Sequence, residues 1–166
     1  MRLAALVALV AALSACTPSF SEHPTAEEVL GALDKPWIGR AGIEESFLQE
    51  DSAEEDILAG ICTASPQWIE VARRMDDTSN AHWGEEMSSA LSVALTKQPK
   101  TILEGFEYMC HEPEDDLPAS CAVPHWRAAA LAALKTVNEP ALTAKRDQCA
   151  IDVARSVGPQ SIEAAK

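Results

Sequence analysis

Apolar residues recur at intervals of three and four along most of the chain, which is the spacing of one face of an α-helix. The longest such face runs through residues 83–95, and others follow Ser65-Pro66, Pro99 and Pro124. Serine before a helix and proline in its first turn both favour helix initiation. Because no segment alternates with a period of two between turn residues, the pattern predicts an all-α fold.

Two capping-box sequences predict helix starts in the first half of the chain. They are Thr25-Ala26-Glu27-Glu28 and Ser52-Ala53-Glu54-Glu55, in which the hydroxyl and the glutamate three residues later each accept a backbone N–H. A final helix is expected to begin near Pro140 and to end at Gly158-Pro159, since both residues interrupt helices.

A weak internal repeat suggests how these helices are arranged. Pro66-Gln67-Trp68 and Pro124-His125-Trp126 each open a predicted helical hairpin of similar length, and helical repeats have periods in this range. We therefore expect antiparallel helical hairpins, arranged either as a short HEAT-like stack or as a helical bundle.

The longest uninterrupted apolar run is at the N-terminus. Leu3–Leu13 follows the positive Met1-Arg2 and precedes small residues, which is the layout of a secretory signal peptide. The stretch Leu13-Ser14-Ala15-Cys16 resembles the lipobox of bacterial lipoproteins. This resemblance implies cleavage before Cys16 and attachment of lipid, palmitate among its acyl chains, to that cysteine.

The lipobox resemblance implies an exported protein that is anchored in the cell envelope. The apolar run is too short to span a bilayer, so the lipid would supply the membrane attachment. Thr17 rather than aspartate follows Cys16, which resembles the pattern sorted to the outer membrane, facing the periplasm, in Gram-negative cells. We expect a signal peptide over 1–15, a flexible tether over 16–24, one all-α domain over 25–160 and a frayed tail over 161–166.

The chain is strongly acidic, with a formal net charge of −13. A surface of that sign repels phosphate backbones, so nucleic acid is not expected as a partner. A basic protein would instead be steered toward it. Trp37, in a loop-like setting, and the acidic residues Glu112, Glu114, Asp115 and Asp116 are the candidate partner-binding residues.

Four cysteines remain beside Cys16, and an even number in an exported chain predicts two disulfides that clip the helices together. They are Cys62, Cys110, Cys121 and Cys149. Our first pairing is Cys110–Cys121, across a proline-rich loop, with Cys62–Cys149. The alternative is Cys62–Cys110 with Cys121–Cys149.

No metal or cofactor is predicted. Cys110-His111 and Cys121-x-x-x-His125 offer zinc ligands, but no Cys-x-x-Cys knuckle is present, and oxidised cysteines do not bind zinc. The acids of residues 112–116 lack the glycine and terminal glutamate of a calcium-binding EF-hand loop.

Catalytic motifs are also missing from the sequence. There is no nucleophile elbow, no Ser-x-x-Lys and no glycine-rich phosphate loop, and we predict no catalytic residue and no enzyme. The expected function is a non-catalytic protein-interaction module, such as an immunity or inhibitor protein against a secreted toxin. A structural or assembly lipoprotein of an envelope complex is the alternative, and a hydrolase with an unrecognised site is a second alternative.

Overall fold

The described part of the chain folds as a disulfide-clipped helical bundle, as predicted. The computed structural model describes residues 21, 23–35, 51–76, 81–107 and 109–156, without the side chains of residues 51, 52 and 81–83. These residues form seven α-helices and no strand: α1 (Ala26–Leu33), α2 (Asp51–Cys62), α3 (Pro66–Asp76), α4 (Ala81–Leu95), α5 (Pro99–Gly105), α6 (Trp126–Leu134) and α7 (Thr143–Arg155). Two short 3-10 helices, Ala119–Cys121 and Pro140–Leu142, precede α6 and α7.

Helix α4 lies at the centre of the bundle. It packs most extensively against α2, and it also contacts α5 and α6, while α1 packs on α3 and α7 packs on α6. The predicted second hairpin, α6 with α7, is therefore present. The predicted first hairpin would pair α3 with α4. In the structure, however, the main partner of α4 is α2.

Local signals explain where several helices begin. Thr25 caps α1 as predicted: its hydroxyl accepts the Glu28 N–H at 3.3 Å, and Glu28 Oε2 accepts the Thr25 N–H at 2.8 Å. Proline opens α3 and α5 as expected. Ser52, expected to cap α2, lies instead within that helix, which already includes Asp51.

The predicted apolar faces form the core. Its largest fully buried side chains are those of Val29, Ile57, Ile61, Ile69, Met87, Leu95, Ile102, Leu103, Met109 and Leu134. Two serines of α4, Ser89 and Ser92, are buried with them. Ser92 Oγ donates to the Met109 carbonyl oxygen at 2.6 Å, which holds the chain after α5 against the central helix.

Both predicted disulfide pairings are wrong. Cys62 is bonded to Cys121 and Cys110 to Cys149, with Cα–Cα distances of 5.4 and 5.2 Å. Cys110 and Cys121 lie at the two ends of one loop, but the 3-10 helix carries Cys121 to the end of α2, while Cys110 meets α7. The loop is thus fixed to two different helices and not closed on itself.

No helix in the described ranges combines the length and apolar character needed to cross a membrane. Cys16 and Trp37, and the predicted boundaries before residue 21 and after residue 156, lie outside the described residues.

Candidate functional site

A wide groove of about 1190 Å³ lies beside the loop that joins α5 to α6. Its apolar lining includes buried Val93 and Trp126 together with half-buried Leu117 and Leu131, which we call the floor. Its remaining walls come from the loop, the start of α6 and the end of α7. We call this feature the acidic groove, and residues 111–118 the acidic loop.

Three of the predicted partner-binding residues line the acidic groove: Glu112, Glu114 and Asp115. Glu112 is half-buried and the other two are exposed. Asp116, the fourth predicted acid, is exposed on the same loop. The structure therefore brings the acidic loop to the edge of an apolar surface, which its sequence alone does not reveal.

The acidic loop is held at several points. The two disulfides fix the cysteines that flank it, Cys110 to α7 and Cys121 to α2. Between them, the Glu114 N–H donates to Ser89 Oγ on α4 at 3.5 Å. The rim of the groove is consequently built before any ligand arrives, which lowers the entropic cost of binding.

The floor depends on an unusual turn at the start of α6. His125 has a φ of +55°, in the left-handed region that non-glycine residues seldom adopt. Helix α6 therefore begins at Trp126 and not at the predicted Pro124. Trp126 is 6% exposed, and its indole Nε1 donates to the Ser92 carbonyl oxygen at 2.8 Å.

A single arginine faces the acids across the groove. Among the described residues that line it, Arg127 is the only lysine or arginine. Its Nη2 lies 3.4 Å from Glu112 Oε2 and also donates to the Ser156 carbonyl oxygen at the end of α7. Sequence reasoning missed Arg127, because nothing local indicates that α6 and the acidic loop share a groove.

Two further acidic residues, Glu54 on α2 and Glu86 on α4, lie outside the groove lining. Burial raises the pKa of Glu86 to about 8, with further contributions from a hydrogen bond to Glu54 and the nearby charges of Glu54, Asp116 and Glu114. The sequence contained a signal for one member of this pair. Glu54 precedes Ile57 and Leu58 by three and four residues, and it therefore lies on the same face of the helix as these apolar residues.

The zinc ligands considered from the sequence are separated. The four sulfurs are oxidised in disulfides, His125 lines the acidic groove, and His111 lines a smaller cavity of about 240 Å³ over the Cys110–Cys149 bond. Within the described ranges, no three His, Cys, Asp or Glu side chains are placed to hold a metal ion.

The chain matches no protein-family model, no curated protein and no solved structure. Fold and site together define a class: a disulfide-clipped helical bundle that carries an apolar groove with an acidic rim.

Proposed function

We propose that this protein is an exported bacterial lipoprotein whose helical domain is a non-catalytic protein-interaction module. The observation that carries the proposal is the acidic groove. An apolar floor within a charged rim is typical of protein-binding surfaces, in which the floor supplies affinity and the rim supplies specificity. Its volume of about 1190 Å³ leaves room for the side chains of a polypeptide segment.

The lipobox-like Leu13-Ser14-Ala15-Cys16 supports the membrane-anchored part of the proposal. Acylated at Cys16, the domain would hang from the envelope by a short polar tether. The two disulfides suit an oxidising compartment such as the periplasm.

Site-specific photo-crosslinking in cells tests the interaction. A photoreactive residue replaces Ala122 or Ala128, both exposed and lining the groove, or Ala144, an exposed residue of α7 that does not line it. We expect a crosslinked protein from the two groove positions and none from Ala144. The same products from all three positions, or none from the groove, would contradict the proposal.

Incorporation of labelled palmitate tests the anchor separately. The wild-type protein should take up the label and sediment with membranes, whereas Cys16→Ser should do neither. Label on the Cys16→Ser variant would place the lipid elsewhere.

The proposed biological role is that of an immunity or inhibitor protein against a secreted toxin, because a small acidic tethered domain suits the capture of a basic toxin. Deletion of the gene should then sensitise cells to one toxin. General fragility of the envelope after deletion would instead favour a structural or assembly lipoprotein. Catalysis is not part of the proposal. Glu86, whose pKa is raised by burial and by its contact with Glu54, does not line the groove, and neither does Glu54.

A further inference from the structure

The acidic groove already holds a positively charged side chain of its own. Arg127 extends from the first turn of α6 toward Glu112 on the acidic loop, with 3.4 Å between Nη2 and Oε2. The same guanidinium donates to the Ser156 carbonyl oxygen. Glu112, Arg127 and Ser156 all line the groove, so Arg127 connects two of its walls.

The contact between Arg127 and Glu112 is easily exchanged. Their side chains are 44% and 39% exposed, and an ion pair in such contact with water contributes little to stability. Arg127 has a second acceptor in the Ser156 carbonyl, at the negative end of the α7 dipole. Releasing Glu112 therefore leaves Arg127 with a hydrogen bond.

We propose that Arg127 is an internal placeholder for a basic side chain of a partner protein. On binding, a segment of that partner lays an apolar side chain on the floor at Leu117 and Leu131, and its arginine or lysine replaces Arg127 at Glu112. The inference rests on the proposed function. Charge complementarity identifies the occupant: three acids against one arginine line the groove, on a chain of net charge −13.

A defined peptide tests the exchange. The probe is a labelled Gly-Ser peptide with two arginines flanking one leucine, and matched peptides carry glutamate for arginine or serine for leucine. Binding is measured by fluorescence anisotropy on the mature acylated protein in nanodiscs of neutral phosphatidylcholine, with empty nanodiscs as the blank. The wild-type protein should bind the arginine–leucine peptide most tightly.

Removing the placeholder should strengthen binding. We expect Arg127→Gln to bind the arginine–leucine peptide about three- to tenfold more tightly, since Glu112 is then available without exchange. Arg74→Gln is the matched control: it makes the same change in net charge, but Arg74 pairs with Asp34 and does not line the groove. Its affinity should change less than about twofold, because distant surface charges are screened.

A double-mutant cycle on Arg127 and Glu112 tests whether the peptide's arginine replaces Arg127 at Glu112. It distinguishes this replacement from a general effect of the change in net charge on peptide affinity. Glu112→Gln should weaken peptide binding more in the Arg127→Gln background than in the wild type, because only there is Glu112 unoccupied before binding. Equal effects in both backgrounds would overturn the placeholder role, as would an Arg127→Gln affinity no greater than that of Arg74→Gln.

Nuclear magnetic resonance on the wild-type protein provides a test that needs no variant to fold. The Arg127 side-chain N–H and the Trp126 indole N–H signals should both shift on peptide addition. If neither moves, the placeholder inference is wrong, while crosslinks from Ala122 and Ala128 would still support the proposed function. Tighter peptide binding after deletion of residues 157–166, or dimers that block the peptide, would assign the groove to the chain itself and overturn the inference.

Discussion

Glu86 has a raised pKa because of its position in the bundle, next to Glu54. Each lies on a helix near apolar residues, and the packing of α2 against α4 places the two carboxyl groups in hydrogen-bond contact. Burial disfavours the charged form of Glu86, and the neighbouring acids add to the effect. The result is a glutamate that keeps its proton at neutral pH.

The raised pKa of Glu86 makes stability depend on pH. Between its ordinary value of about 4.5 and its folded value of about 8, the folded protein retains a proton that the unfolded chain releases. The free energy of unfolding should therefore fall as pH rises through this range. Glu86→Gln keeps a hydrogen-bond donor toward Glu54 but cannot ionise, so we expect a smaller fall and a higher melting temperature than wild type at pH 8.

Thermal unfolding at a series of pH values measures this difference. Glu85→Gln is the matched control, since Glu85 is the exposed neighbour on the same helix, and it should follow the wild-type profile. Identical pH profiles for Glu86→Gln and wild type would show that Glu86 does not retain its proton.

The Glu54–Glu86 pair also marks what the sequence could reveal at this scale. Of the two acids, Glu54 has the spacing of the buried face of its helix, which is a local property. Their contact depends on which helices pack together, and the repeat pattern assigned α4 to the wrong neighbour. The acids of the groove rim were identified from their run along a loop of the sequence, but Arg127 required the three-dimensional arrangement of α6 and the acidic loop.

At the scale of helices, α2 and α3 approach closely at Gly60. A Cβ atom added there would overlap the ring of Trp68, whereas nothing lies within 4 Å of a Cβ at Gly31 in α1. The two glycines can therefore be compared directly: packing requires a glycine at position 60 but not at position 31.

Alanine substitution should have opposite effects at these glycines. Gly60→Ala should lower the free energy of unfolding by about 1–3 kcal/mol, the usual cost of overpacking. Gly31→Ala should raise it by about 0.5–1 kcal/mol, because alanine restricts the unfolded chain and favours helix. Urea unfolding measures both, and destabilisation by Gly31→Ala as large as that by Gly60→Ala would contradict the assigned contact.

Helix starts and buried faces were predictable because they follow from local sequence: the Thr25 cap, the opening prolines and the apolar spacing of α4. The start of α6 was not predictable, because His125 adopts the left-handed backbone conformation and the sequence has no glycine there to indicate it. Disulfide pairing failed for a different reason. It depends on where the acidic loop runs across the bundle, and closeness in sequence favoured the wrong bond.

At the scale of the molecule, the two disulfides join residues 59 and 39 positions apart. The chain-entropy model assigns about 4 kcal/mol to closing a loop of either length. We therefore expect Cys62→Ala/Cys121→Ala and Cys110→Ala/Cys149→Ala each to lose about that much free energy of unfolding, measured with urea.

Peptide mapping without reduction checks the pairing itself. Digests should contain Cys62 linked to Cys121 and Cys110 linked to Cys149. A linked Cys110–Cys121 peptide would refute the described connectivity. Loss of several kcal/mol from one double variant only would show that the bonds are not equivalent.

The pairing has one further property, which follows from its crossed order. Among the four bonded cysteines, the bonds join the first to the third and the second to the fourth. Every peptide bond between residues 62 and 149 is therefore spanned by at least one disulfide, and those between 110 and 121 are spanned by both. A protease that cuts once in the acidic loop leaves two fragments that remain covalently attached. A single cut in the acidic loop therefore does not separate the two parts of the domain.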